Sequence, residues 1–531
     1  MGAGPEQPDP WGLALALYRG GGPLIAGVHD GEAVESILEA FDPWIQGLGG
    51  EVRRFSLATL SWRLRGAASE PGGSLTVGPY VEPGDVEGRV ETVEGDPSRP
   101  ESWRGYSGAP VALAWEPEEP DELRYAALLA LEHGAEALLV CPRGAPRVVV
   151  TVGSWGFSFH SGAPTPLLLA YLPGREACLR VAREGRARVY VDSRTVEARA
   201  WGVEVDFPGR GRPWLFTAHW DRWPGGFQDD TLGVAQALSA AARLAAGGLR
   251  ARAVIFPSEE HGAPGYAGWY WAWGSRHYAG QLRHAGLEES LAGAVNFDVA
   301  GSRPLVASGS PALAASLPPG GWRARPWECP ECDGLQLALH AGLPTLTIHT
   351  LWNPGVLEFY HTRLDTPQRA DPGAARLAVE LAVRAARRGP RWECMEAAVS
   401  GLLRPGPLQA RRLAALILAA ARRAGWERLY PRLSREALRP IDYGDRRWST
   451  GPLEAHWFPE ASLLPRLSGD TRGGRDPGEV WVAGWERPLY QTRAQPGGRP
   501  CSPGCLAGQA RAALEELAER VEERVVRQLL A

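Results

Sequence analysis

The sequence predicts an α/β protein: a mixed, largely parallel sheet flanked by helices, with a small inserted α/β unit and a helical C-terminal region. Three observations predict it. Between about residues 193 and 390, short apolar runs alternate with helical stretches, the pattern of a sheet covered on both faces. Between 84 and 192, a smaller set of apolar runs alternates with two helical stretches. Beyond Pro390, apolar residues recur at helical spacing. A chain of 531 residues exceeds what one hydrophobic core organises, so several units are expected. Residues 1–83 join the main unit, 84–192 form the insert, 193–390 the main sheet and 391–531 the C-terminal region.

Residues 31–47 carry Val34, Ile37, Leu38, Phe41 and Ile45 at spacings of three and four, an amphipathic helix stopped by Gly49-Gly50. A strand over Glu51–Leu57 follows. The insert holds apolar runs at Val111–Trp115, Ala137–Cys141, Val148–Val152, Leu167–Tyr171 and Val189–Val191, with a helix over Leu123–His133 that ends at Gly134. The main unit offers strands at Trp214–Ala218, Ala253–Pro257, Ala294–Phe297 and Thr345–Ile348. Its first helix sets Val234, Leu238, Ala241 and Ala245 on one face, with Gly247-Gly248 behind. A helix over Leu408–Ala424 comes next, then loops or short strands over 440–505, rich in Pro, Gly and Trp. A last helix, about 508–530, aligns Leu514, Leu517, Val521 and Val525. Such a helix packs on its own domain or pairs two copies, so a homodimer through the C-terminal region is one expectation.

Apolar residues at 44% and charged residues at 22% are ordinary for a globular protein. A net charge of −4 gives no basic face, so no nucleic-acid partner is expected. No lysine occurs; arginine carries all the basic charge, which reads as codon bias, since the usual mark of heat adaptation includes more lysine. No basic segment precedes the short apolar run Leu13–Tyr18, and no apolar stretch reaches the ~18 residues a membrane span needs. A cytoplasmic location without membrane contact is the expectation. The seven cysteines are odd in number and thinly spread, unlike a disulfide scaffold. The close pairs Cys329/Cys332 and Cys501/Cys505 fit either a four-thiolate zinc site or two local pairs.

Five segments hold the chemistry: His219-Trp220-Asp221, Asp229-Asp230-Thr231-Leu232-Gly233, Glu259-Glu260-His261-Gly262, Asn296-Phe297-Asp298 and Tyr360-His361-Thr362-Arg363-Leu364-Asp365. Alone, each has an ordinary use. His219 could simply end a strand, Asp229 or Asp230 could cap a helix, and Asp298 could start a turn. The first, third and fourth, however, sit at the carboxyl ends of predicted strands, the edge where open α/β sheets bind ligands. Two metals about 3.5–4 Å apart need one bridging carboxylate and roughly two further ligands each. Two histidines and three acids of these segments meet that need.

The segments resemble the co-catalytic zinc exopeptidases that include bacterial leucyl aminopeptidase and glutamate carboxypeptidase II. The resemblance spans Ala198 to Arg388. It implies that His219 and Asp298 hold one zinc and Glu260 and His361 the other, with Asp229 bridging. It implies Glu259 as general base for a metal-bridging hydroxide, Asp221 as the group orienting His219, and Tyr360 as donor to the developing oxyanion. The stretch ALLALEHGAEALLV resembles the core of the protease-associated domain, which places such a domain at 84–192. Arg222 stands where the family often has serine, and Cys332-Asp333 replaces its Ser-Asp signature, which leaves the role of Asp333 open. The implied function is a two-zinc exopeptidase acting on peptides, an aminopeptidase before a glutamate carboxypeptidase-like enzyme. A single-zinc glutaminyl cyclase-like transferase and an inactive binding homologue are the alternatives.

Overall fold

The computed structural model describes residues 7–79, 81, 83–117, 123–148, 167–262, 272–325, 332–351, 353–396 and 408–437, with fragments at 480–481, 488–489 and 527. The expected strand beyond Val148, the helix at 508–530, and Cys329, Cys501 and Cys505 lie outside the described residues.

Helix α1 (Pro10–Tyr18) begins on proline, and the Asp9 carboxylate accepts from the Gly12 N–H at 3.2 Å. Helix α2 (Asp30–Leu48) follows the predicted spacing: Val34, Ile37, Phe41 and Ile45 are buried. Gly49, at φ 66°, ends it in the left-handed conformation that glycine adopts without strain. Strand β1 (Glu51–Glu70) runs well past the expected end at Leu57. Its second half has no apolar run to mark it, and it is a strand because it pairs along its length with β7 (Arg186–Phe207), from Glu51↔Asp206 to Glu70↔Arg188. The boundary expected at 192/193 falls inside β7.

Between these two long strands lies a smaller lobe. It contains β2 (Gly73–Ser74), β3 (Gly84–Thr92), β4 (Val111–Trp115), α3 (Leu123–Glu132), β5 (Ala137–Cys141), β6 (Leu168–Tyr171) and α4 (Arg175–Glu184). Strands β3 to β6 are parallel neighbours over their own core, in which Val111, Leu113, Leu138, Val140, Leu169 and Val181 are buried. A Cys141–Cys178 disulfide ties β5 to α4. The spacing of those cysteines gives no hint of the pairing.

The main lobe continues with β8 (Arg210–His219), α5 (Leu232–Ala246), β9 (Leu249–Phe256), α6 (Trp273–His284), β10 (Gly293–Phe297) and β11 (Leu305–Gly309). Then come the short α7 (Pro311–Ala314), β12 (Trp322–Arg325), the short α8 (Asp333–Gln336), β13 (Thr345–His349), α9 (Pro372–Arg388), α10 (Leu408–Ala424) and α11 (Trp426–Ala437). The sheet order is β12-β11-β13-β10-β8-β9-β7-β3-β4-β5-β6, continuous across both lobes. β13, β10, β8 and β9 are mutually parallel, while β7 runs against β9 and β3, and β11 runs against β13 but parallel to β12. This is the expected mixed, largely parallel sheet.

Alternate residues of the central strands feed two cores, as strand geometry requires. Phe216, Ile255 and Val295 face α1, α2, α5 and α9. Leu215, Val254 and Ala294 face Tyr278, Ala279 and Leu282 of α6. Full burial of such side chains contributes roughly 1.5–3 kcal/mol each, so the strands that carry the site are firmly seated. No described helix is long and apolar enough to cross a membrane.

Candidate metal centre

Because β10, β8 and β9 are adjacent and parallel, their carboxyl ends open on one edge. His219 is the last residue of β8, Asp298 follows β10, and Glu259 and Glu260 follow β9 after Pro257-Ser258. The chain beyond β13 returns to the same edge with Tyr360 and His361. Three non-glycine residues at this edge have left-handed φ: Ser258 (60°), Val299 (47°) and His361 (58°). The conformation costs of order 1–3 kcal/mol each and persists where the surroundings impose it. Here it turns Glu259, Asp298 and the His361 ring toward one point.

The structure brings together all five predicted metal ligands and Glu259. Each is at most 7% exposed. His219 Nε2 lies 3.3 Å from Asp229 Oδ1, and His361 Nε2 lies 3.2 Å from Asp229 Oδ2 and 3.1 Å from Glu260 Oε1. Among the described residues, two groups present ligand atoms within 4.8 Å of one another: His219, Glu259 and Asp298, and Asp229, Glu260 and His361. Asp229, joined to Asp230 by a cis peptide bond, touches both groups through its two oxygens.

The electrostatics fit a cation. Burial opposes ionisation of Asp229, but the two imidazoles prevail and hold its carboxyl at about 2. Burial and the neighbouring acids push Glu259 and Asp298 well above the ordinary carboxylate range, although His219 pulls the other way. Burial disfavours the charged form of His361, yet Glu260 and Asp229 raise it to about 10. So many buried acids at one point repel one another unless positive charge joins them. Imidazole nitrogens with carboxylate oxygens are the donors zinc takes.

Asp221 meets the other ring nitrogen of His219, as the sequence implied, but through its main chain. His219 Nδ1 bonds the Asp221 main-chain carbonyl at 2.9 Å, while the carboxylate is 3.8 Å away. The carboxylate is occupied elsewhere, accepting from the N–H groups of Glu259 (3.1 Å) and Glu260 (3.0 Å) and bonding His261 Nδ1 at 3.1 Å. It therefore fixes the backbone from which the two glutamates diverge. The Tyr360 ring is half-buried and stacks on the His361 ring at 3.9 Å. Burial, then Asp229, Glu260, Glu259 and Asp298, raise its hydroxyl far above the ordinary range, so it stays protonated and able to donate. Asp333 is buried and in neither ligand group; burial, with the field of Asp221, holds it at about 6 against His219, Ser275 and Arg276. Cys332 is disulfide-bonded, so it offers no thiolate to the four-thiolate site considered from the sequence.

Sequence reasoning assigned no role to Asp365. Its buried carboxylate accepts from the N–H of Gln228 at 3.0 Å and of Asp229 at 3.0 Å, and so carries the loop that presents Asp229. Gly225 lets this loop approach: a Cβ there would meet the Thr362 carbonyl at 2.4 Å, and its φ is +91°. Asp365→Ala strands two buried N–H groups. It is expected to cost about 2–3 kcal/mol of stability, read by denaturant unfolding, and to weaken metal binding.

Residues 204–309 match the model of Peptidase family M28. No curated protein sequence matches the chain. Among solved structures, a zinc aminopeptidase from Bacillus subtilis superposes with a TM-score of 0.55 at 17% identity, covering 72% of this chain and 96% of that one. A peptidase M28 precursor from Shewanella amazonensis gives 0.53 at 18% identity, covering 71% and 91%. At such identities the likeness speaks for the fold. The stretch that holds His219, Asp221, Asp229, Glu259, Glu260 and Asp298 thus matches the model of Peptidase family M28, and the chain shares its fold with the zinc aminopeptidase of Bacillus subtilis.

Proposed function

We propose that this protein is a zinc exopeptidase with two ions per chain, acting as an aminopeptidase on peptide substrates. The carrying observation is Asp229, which directs one carboxylate oxygen to each of two histidines belonging to separate ligand groups. In this reading His219 and Asp298 hold one ion, Glu260 and His361 the other, and Asp229 is shared. Zinc at this place supplies electrophilic activation of water and of the scissile carbonyl.

The side chains do the rest. Glu259, with its carboxyl raised by burial and neighbouring acids, takes a proton from the attacking water and delivers it to the leaving amine. Tyr360 donates its hydroxyl hydrogen to the oxygen that gains charge in the transition state.

The test is a panel of aminoacyl amides, acidic dipeptides and N-terminal glutamine peptides, assayed with zinc and with chelator. Hydrolysis of the aminoacyl bond is expected, lost on chelation and restored by zinc. Release of C-terminal acidic residues alone would make the protein a carboxypeptidase. Cyclisation of N-terminal glutamine without hydrolysis, with one zinc per chain, would make it a cyclase.

A further inference from the structure

Two residues of the smaller lobe reach the metal edge. The chain leaving β5 runs beside the loop after β13, where Arg147 and Thr362 form an antiparallel bridge. The Val148 N–H donates to the His361 carbonyl at 2.9 Å, and the Val148 carbonyl lies 3.1 Å from His361 Nδ1. A carbonyl can only accept, so Nδ1 carries a hydrogen toward Val148, which would leave the Nε2 lone pair to a metal ion held together with Asp229 and Glu260.

Arg147 braces the same loop. Its guanidinium donates to the Tyr360 carbonyl at 2.7 Å and the Leu357 carbonyl at 2.6 Å, while its Nε donates to Glu116 Oε1 at 2.9 Å. Glu116, at the end of β4, also accepts from the Tyr171 hydroxyl at 2.8 Å and the Arg143 N–H at 3.1 Å. The Arg147 side chain is 9% exposed and that of Glu116 3%. The charge pair is thus anchored in the core of one lobe, and its free donors end on the backbone that carries Tyr360 and His361 of the other. The left-handed φ of His361 leaves that backbone in need of an external hold.

We propose that Arg147, held by Glu116, is a positioning residue for the metal centre, and that through it and Val148 the smaller lobe sets the orientation and tautomer of His361. The proposal rests on the two-metal reading of the site. The lobe is then part of the catalytic apparatus, although none of its described residues belongs to either ligand group.

The experiment titrates zinc into the metal-free full-length protein against a chelating dye, for wild type, Arg147→Ala and Arg147→Lys, with thermal unfolding of each metal-free protein alongside. Wild type is expected to take up two equivalents. Arg147→Ala is expected to bind one as before and the other about 10–100-fold more weakly, the usual effect of losing a group that orients a ligand. Arg147→Lys, whose single ammonium cannot serve both carbonyls and Glu116, should fall between, and methylguanidinium should restore part of the loss in Arg147→Ala. Two wild-type-like equivalents in Arg147→Ala would overturn the positioning role and leave the metal centre standing. No uptake by wild type would overturn the metal centre itself. Should Arg147→Ala fail to fold, Arg147→Lys decides by the same criterion.

Discussion

Replacing Glu259 by glutamine is expected to lower turnover about 10²–10⁴-fold, the usual contribution of a positioned acid–base group, while both ions stay bound. Glutamine keeps the shape of the side chain but cannot accept and return a proton. The backbone turn at Ser258 and the grip of the Asp221 carboxylate on both amides do not depend on the glutamate side chains, so the loop should hold. The measurement pairs kcat on an aminoacyl substrate with metal analysis. It has a sharp alternative outcome, because Glu259 lies in the ligand group of His219 and Asp298, 4.0 Å from His219 Nε2. A variant that holds one ion instead of two would make Glu259 a ligand and leave the proton carrier to be found elsewhere.

Asp229→Ala is expected to lose both ions and all measurable peptidase activity. The Asp229 oxygens are 3.3 Å from one imidazole and 3.2 Å from the other, so the substitution removes a donor from each group at once. What stays behind is a buried cluster of acids with less positive charge to offset it. The variant should therefore unfold at the temperature of chelated wild type, whether or not zinc is added. Metal analysis that still found two ions would end the bridging role, and a single ion would restrict Asp229 to one site.

The central strands were legible because each is a short apolar run fully buried on both faces, and the predicted limits of β8, β9, β10 and β13 fall within a few residues of those observed. Three of the candidate segments were legible for a related reason: His219 ends such a run, and Glu259-Glu260 and Asp298 follow one closely. β1 was half hidden, since its stretch from Ala58 to Glu70 mixes buried and exposed residues and takes its conformation from β7. The groups that support the ligands left no local trace. Asp365 acts on residues 136 and 137 positions away, and Arg147 and Val148 on residues more than 200 away. Asp221 shows the limit from the other side. Its place two residues after His219 was read correctly as meaningful, but only the fold reveals that its carboxylate is drawn to the amides of Glu259 and Glu260, leaving its carbonyl for the histidine.

The shared ribbon of β1 and β7 has a mechanical consequence. The smaller lobe is not slung from a flexible tether; it is the outer arm of a beam whose inner end is built into the main sheet. Bending that beam sharply would break ladder bonds in series, whereas twisting it would strain each only a little. Relative movement of the two arms should therefore be torsional and of small amplitude.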